Sequence, residues 1–197
     1  MFISQFNKTF TKLTIIFWFH KYSYSNIKYN MKKKFIIGVG SNINNPDGLE
    51  PIETCQMAIK EIENFNISVV KRSSWYISEP MPKSNQPNFY NSAIMCYSKY
   101  DAKTILKILQ FIEKKYGRIR IFKNMDRCLD LDLITFENNV KKSLMLTLPH
   151  PRMHLRKFVL LPFHEIEPNW LHPIFKKKID FFLNNVKFQK IKKIKMS

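Results

Sequence analysis

Two aspartates with a single leucine between them lie in the stretch RCLDLDLITF, residues 127–136. In an extended chain, alternation sends Leu129, Leu131 and Leu133 to one side and Asp130 and Asp132 to the other. The leucines can pack on a core. The carboxylates share a face, about 7 Å apart at Cα from a rise of about 3.3 Å per residue. Two like charges this close need compensation from water, basic side chains or a cation. Mg2+ is commonly held by one or two carboxylates together with substrate phosphates, so metal–phosphate chemistry is within reach of this pair. The simpler reading is polar alternation on an exposed strand.

Two basic clusters flank the pair. GRIRIFKNMDR (117–127) supplies Arg118, Arg120, Lys123 and Arg127, and PHPRMHLRKF (149–158) supplies His150, Arg152, His154, Arg156 and Lys157. Arginine forks match phosphate oxygens bidentately. Cation ligands beneath and positive charge around are what a Mg2+–polyphosphate site requires. The alternative is a set of surface charges that never converge. A third stretch, SSWYISEPMPKSNQPNFYNSA (73–93), offers Phe89, Asn91 and a proline-stiffened loop. Such a set can sandwich and hydrogen-bond a flat heterocycle; without other information, ordinary loop and strand residues are the preferred reading. GVGSN (38–42) lacks the spacing of phosphate-binding glycine motifs, so a tight turn is expected there.

These residues need elements to hold them. FIIGVG (35–40) reads as a buried strand ending at the glycines. Ile52, Cys55, Ile59 and Ile62 recur at helical spacing, which predicts a helix over about 49–64. ISVVKRSSWYIS (67–78) and FYNSAIMCYS (89–98) favour strand, with a proline-rich loop at 79–88 between them. Asp101 can cap a helix carrying Ile105, Ile108, Leu109 and Ile112, stopped by Gly117. The next strand spans 129–137. The order β-α-β-β-α-β matches a ferredoxin-like α+β fold: an antiparallel sheet with both helices on one face. That fold hosts many functions and names none.

The 197 residues carry a formal net charge of +18, which favours an anionic partner or ligand. Cys55, Cys96 and Cys128 are far apart, with no pair at metal-ligand spacing, as suits a reducing compartment. Residues 1–30 differ from the rest. From Met1 to Pro46 there is no acidic residue, and LTIIFWF (13–19) is too short to span a bilayer. They read as a leader or an extension outside the fold, with the domain at 31–175 and a basic C-terminal tail at 176–197.

In order and spacing, GVGSN, SSWYISEP…QPNFYNSA, GRIR…RCLDLDLI and LPHPRMHLRKFVLLPFHEIEP resemble the 6-hydroxymethyl-7,8-dihydropterin pyrophosphokinases of folate biosynthesis. The resemblance runs from about Lys34 to Pro173. It implies the ferredoxin-like fold, transfer of pyrophosphate from ATP to the pterin hydroxymethyl group with release of AMP, and two Mg2+ ions. It further implies Asp130 and Asp132 as metal ligands and Arg118, Arg120 and Arg127 as catalytic residues. Gln110, Glu113, Arg120, Arg127, Leu133, Thr147, His150 and Arg156 match ATP-side positions. Ser78, Met81, Phe89, Asn91 and Phe158 match the pterin pocket, with both phenylalanines stacking on the ring and Asn91 bonding its edge. The expected enzyme is cytoplasmic and monomeric, acts on small molecules, and involves neither nucleic acid nor membrane. There are two departures. Asn124-Met125-Asp126 replaces the Trp-Gly-Pro of many members, and Glu79 replaces a proline. The rivals are a basic ferredoxin-like RNA-binding module and a degenerate homologue kept for interactions. Asp130 and Asp132 on the face where such a module carries aromatics argue against the first. The intact aspartates, His150 and the arginines argue against the second.

Overall fold

The computed structural model describes residues 31–119 and 125–195. The expectations for residues 1–30, Arg120 and Asn124 therefore lie outside the described residues. The elements below belong to one unit, Lys33–Ser197.

Strand β1 (Lys33–Ser41) lies at the centre of an antiparallel sheet, between β4 (Phe89–Ser98) and β5 (Asp130–Phe136). The expected strand 67–78 forms as two pieces, β2 (Ser68–Arg72) and β3 (Tyr76–Ser78), which both pair with β4. Helix α1 (Pro51–Glu63) starts with proline at its first position, where a missing N–H costs nothing, and Glu53 accepts the Glu50 N–H at 3.2 Å. Helix α2 (Ala102–Lys115) is capped by Asp101, whose Oδ1 accepts the Thr104 N–H at 2.8 Å. Cys55, Ile59 and Ile62 of α1 and Ile105, Leu109 and Ile112 of α2 bury against Phe35, Ile37, Val39, Leu129, Leu131 and Leu133. The βαββαβ order and the placement of α1 and α2 on one face are as expected.

The second face of the sheet is also covered. Two short strands, β6 (Lys141–Lys142) and β7 (Thr147–Leu148), form a separate hairpin, and a single 3-10 turn spans Met153–Leu155. Helix α3 (Lys157–Ile166) and helix α4 (Ile179–Asn185) then pack Leu160, Phe163, Ile179 and Phe182 against Ile36, Ala93, Met95 and Ile134. The expected tail at 176–197 is thus corrected: it holds α4 and β8 (Ile191–Lys193), which pairs with β3. Ile179, Phe182 and Val186 recur at helical spacing beneath the lysines, and their burial outweighs the charge of the segment.

One carboxylate ties three of these elements together. Glu165 of α3 accepts from the Ser74 N–H (3.1 Å) and hydroxyl (2.7 Å), from the Tyr76 hydroxyl (2.7 Å) and from the Lys193 ammonium (3.0 Å). Partial burial opposes its ionisation, but the bonds from Tyr76, Ser74 and Lys193 outweigh that and hold its pKa at about 2. A depressed folded-state pKa stabilises the protein above the ordinary glutamate value, and that stabilisation disappears as the pH falls through about 2. Glu165→Gln is expected to lower Tm at neutral pH, by an amount that shrinks steadily below about pH 4.5. Thermal melts across the acid range test this; an offset independent of pH would show that the ionised form contributes nothing.

Candidate active site

The sheet builds the floor of a cleft from two rows that cross three strands. In one row Asn91, Gly40 and Asp130 are register neighbours; in the next, Ala93, Gly38 and Asp132. The residues of both rows face away from α1 and α2. Gly38 and Gly40 do not form the expected turn, because β1 continues through them to Ser41. Their service is the absence of a side chain. A Cβ on Gly38 would meet Ile134 Cδ1 at 3.2 Å, and one on Gly40 would stand 3.6 Å from Asn91 Oδ1 and 3.9 Å from Asp130 Cβ. Gly40 was missed as a site residue, although its period-two spacing with Gly38 was a usable signal.

The cleft has a volume of about 650 Å³. It brings together Arg118, Arg127, His150 and Arg156 with Ser78, Met81, Phe89, Asn91 and Phe158, over Asp130 and Asp132. Arg152, Asp126 and Glu79 also line it. The side chain of Leu133 is buried in the core under the opposite face, so it cannot meet a ligand here. Gln110 is exposed on α2, and neither it nor Thr147 of β7 lines the cleft. Glu113 is 2% exposed and sits beneath the floor rather than in it. Its Oε1 accepts from Arg118 Nη1 and, at 2.8 Å, from the Leu131 N–H. It therefore fixes α2 to β5 and holds Arg118 from behind. The expectation of a direct nucleotide contact from the Glu113 carboxylate is corrected by this burial.

The two aspartates, alike in sequence, differ in surroundings. Asp130 pairs through Oδ1 with Arg118 and through Oδ2 with Arg127 Nη1 at 2.9 Å. Burial opposes its ionisation, yet the two guanidinium groups outweigh it and hold the carboxyl below the ordinary value. Asp132 has no such arginine pair among the described residues. Burial, reinforced by the charges of Asp130 and Glu113, pushes its pKa up to about 7, with Arg156 and Arg118 opposing only in part. A carboxylate crowded in this way is where a cation would relieve the most repulsion. No set of three or more metal-binding side chains occurs among the described residues. Two carboxylates lining the cleft, with further ligands left to phosphate and water, fit Mg2+, and an ion at Asp130 would take the place of the arginines that hold its two oxygens.

His150 is held neutral. Burial, helped by Arg156 and Arg152, lowers its pKa to about 4. Its Nδ1 accepts the Arg152 N–H at 3.3 Å, so the neutral ring carries its proton on Nε2 and can donate from there. On the other side, Asn91 donates through Nδ2 to Ser78 Oγ (3.0 Å) and to the Phe89 carbonyl (3.1 Å). That leaves Oδ1 toward Gly40 as an acceptor for a ligand N–H. The Arg127 guanidinium lies over Phe89 at 5.6 Å from the ring centroid and that of Arg156 over Phe158 at 5.5 Å, so each ring already carries a planar cation on one face.

A larger residue at Gly40 should fold, because nothing lies within 3.4 Å of its Cβ, but would fill the floor between Asn91 and Asp130. Gly40→Val is expected to leave Tm within a few degrees of the parent and to lower kcat/KM on the order of a hundredfold through misplaced substrates. Steady-state kinetics beside a thermal melt check this, and unaltered kinetics would remove Gly40 from the site.

Three comparisons bear on this cleft. The profile of the family 7,8-dihydro-6-hydroxymethylpterin-pyrophosphokinase (HPPK) matches residues 36–168. The 2-amino-4-hydroxy-6-hydroxymethyldihydropteridine pyrophosphokinase of Haemophilus influenzae is 34% identical over 137 residues, which cover 70% of this chain and 83% of that protein. The protein of the same name from Synechocystis sp. is 37% identical over 139 residues, covering 70% and 68%. The folic acid synthesis protein fol1 of Pneumocystis carinii is 35% identical over 138 residues, but the match spans 18% of its length against 70% of this chain. Among solved structures, wild-type HPPK-DHPS of Plasmodium falciparum with pteroate superposes with a TM-score of 0.62 at 12% identity, covering 79% of this chain and 44% of that one. At that identity the likeness shows the fold.

Proposed function

Because the chain belongs to the 7,8-dihydro-6-hydroxymethylpterin-pyrophosphokinase family, we propose that its cleft transfers pyrophosphate from ATP to the hydroxymethyl group of 6-hydroxymethyl-7,8-dihydropterin, releasing AMP. Pyrophosphoryl transfer of this kind, a step of folate biosynthesis, is the activity of that family. The observation that carries the assignment to this cleft is the pair of rows across the sheet. They set a cage for a flat ring and a pair of carboxylates side by side on one floor.

The pterin lies between Phe89 and Phe158, with its amide edge on Asn91 Oδ1 and Ser78 and Met81 closing the pocket. Its hydroxymethyl oxygen then points toward the aspartates. That oxygen attacks the β-phosphorus of ATP, the bond from that phosphorus to the α,β-bridging oxygen breaks, and AMP leaves with the oxygen. The hydroxyl proton is released. Asp130 and Asp132 would hold two Mg2+ ions, which when bound neutralise phosphate charge and orient the oxygens. Arg118, Arg127 and Arg156 supply fixed positive charge to the polyphosphate, and His150 donates from Nε2 without adding charge. Little covalent help is needed, because positioning and charge neutralisation lower the barrier. Arg120, outside the described residues, is assigned to the phosphate side by its place in GRIR. Three buried free thiols favour a reducing compartment, so we place the enzyme in the cytoplasm, acting as a monomer.

Incubation with ATP, Mg2+ and 6-hydroxymethyl-7,8-dihydropterin tests the reading. The expected products are AMP and the pterin diphosphate. Formation of ADP, or no turnover by folded protein, would overturn it.

A further inference from the structure

The motif GVGSN has a second use beyond its floor glycine. Ser41 is fully buried and Asn42 is 3% exposed, and Asn42 bonds chain segments that carry two parts of the cleft lining. The Asn42 N–H donates to the Arg127 carbonyl at 3.0 Å, and the Arg127 N–H donates to Asn42 Oδ1 at 2.7 Å. The Ser41 hydroxyl shares its one proton between the Ile43 carbonyl at 3.2 Å and the same Arg127 carbonyl at 3.4 Å. One residue thereby holds the backbone of Arg127 by both its donor and its acceptor. The same amide reaches the other way. Asn42 Nδ2 donates to the Pro87 carbonyl at 3.2 Å and to Gln86 Oε1 at 3.4 Å. These belong to the largely exposed loop 79–88, which carries Met81 and leads into Phe89.

We propose that Asn42 is a positioning residue that fixes the phosphate-side Arg127 and the pterin-side loop 79–88 to one another. The inference rests on the function proposed above. The side-chain amide suits the task because it is an acceptor at one atom and a double donor at the other. Oδ1 faces an N–H, and Nδ2 faces a carbonyl and an amide oxygen. No other side chain of this size presents both. The consequence is geometric. Arg127 meets Asp130 on the phosphate side, and Phe89, whose ring lies under that guanidinium at 5.6 Å, forms a wall of the ring cage. A shift of either segment alone would change the distance over which the hydroxymethyl oxygen must reach the phosphorus.

Two substitutions separate the halves of the clamp. Asn42→Asp keeps the acceptor for the Arg127 N–H but places a carboxylate oxygen against the Pro87 carbonyl, which releases the loop. It is expected to raise KM for the pterin about tenfold while the Kd for a non-hydrolysable ATP analogue stays within about twofold. Asn42→Ala releases both segments, and kcat should fall together with the rise in pterin KM, on the order of a hundredfold in kcat/KM. A residue that serves stability alone would lower Tm and leave KM of the folded fraction untouched. Wild-type pterin KM in folded Asn42→Asp protein would therefore overturn the proposal. Where Asn42→Ala fails to fold, Asn42→Asp alone decides. Amide hydrogen exchange gives a readout independent of activity: Asn42→Asp should lose protection in 83–90 and keep it at Arg127. Absence of AMP from the wild-type protein would instead overturn the proposed function, and the exchange pattern would still judge the clamp.

Discussion

Asp130→Asn and Asp132→Asn are each expected to lower AMP production by about three orders of magnitude, because under the metal-holding role proposed above each removes an anchoring charge while keeping side-chain volume. Their stabilities should move in opposite directions. Asp130 is the shared partner of Arg118 and Arg127, so its neutralisation leaves the mostly buried Arg127 without its carboxylate and Arg118 with Glu113 alone. A loss of about 2 kcal/mol is expected, below the cost of breaking a fully buried pair because these groups keep some contact with solvent. Asp132 has no arginine pair among the described residues and is crowded by Asp130 and Glu113. Neutralising it removes repulsion and should leave Tm unchanged or slightly raised. Melting temperature and AMP formation measured on the same two proteins decide the matter. Near-normal turnover at saturating Mg2+ by either variant would exclude that residue as an essential ligand, and equal losses of Tm would contradict the asymmetry.

Gly117→Ala is expected to destabilise the protein by about 3 kcal/mol, combining a left-handed backbone with overpacking. Gly117 ends α2 at φ +88°, and a Cβ there would fall 2.3 Å from Pro46 Cγ and 2.4 Å from Cδ. The proline ring is covalently stiff and cannot swing aside, so the backbone must move. That movement would carry Arg118, the next residue, off its place between Glu113 and Asp130. Activity of the folded fraction should fall as well. Gly48→Ala is the control: its φ is +83°, but nothing stands within 4 Å of the added Cβ. It should cost about 1 kcal/mol. Urea titrations of the two variants measure the difference, and equal midpoints would show that Pro46 gives way.

Strand alternation, helix period and caps are local properties, and these the sequence by itself determined. The leucines and aspartates of β5 separate onto two faces because successive side chains must alternate. Asp101 and Gly117 bracket α2 because a carboxylate can take the orphan N–H of Thr104 and only glycine readily adopts the positive φ after the last turn. The family resemblance placed Phe89, Asn91, Phe158, His150 and the arginines at one site, and the described ones do line one cleft. The tertiary structure decided everything that depends on register and on what lies behind a residue. Gly38 and Gly40 could be read as a turn until β4 and β5 paired on either side of β1 and left the glycines as floor. Glu113 could be read as a ligand-facing acid until packing of α2 on β5 buried it behind Arg118. The lysines of 176–197 concealed an apolar face that has meaning only where Ile36, Met95 and Ile134 wait to receive it. Asp130 and Asp132 read alike in sequence, and only the convergence of two arginines on one of them makes them different. Charge interactions depend on distance in space: Arg127 is three positions from Asp130, but Arg118 is twelve away and reaches it only when α2 packs on β5.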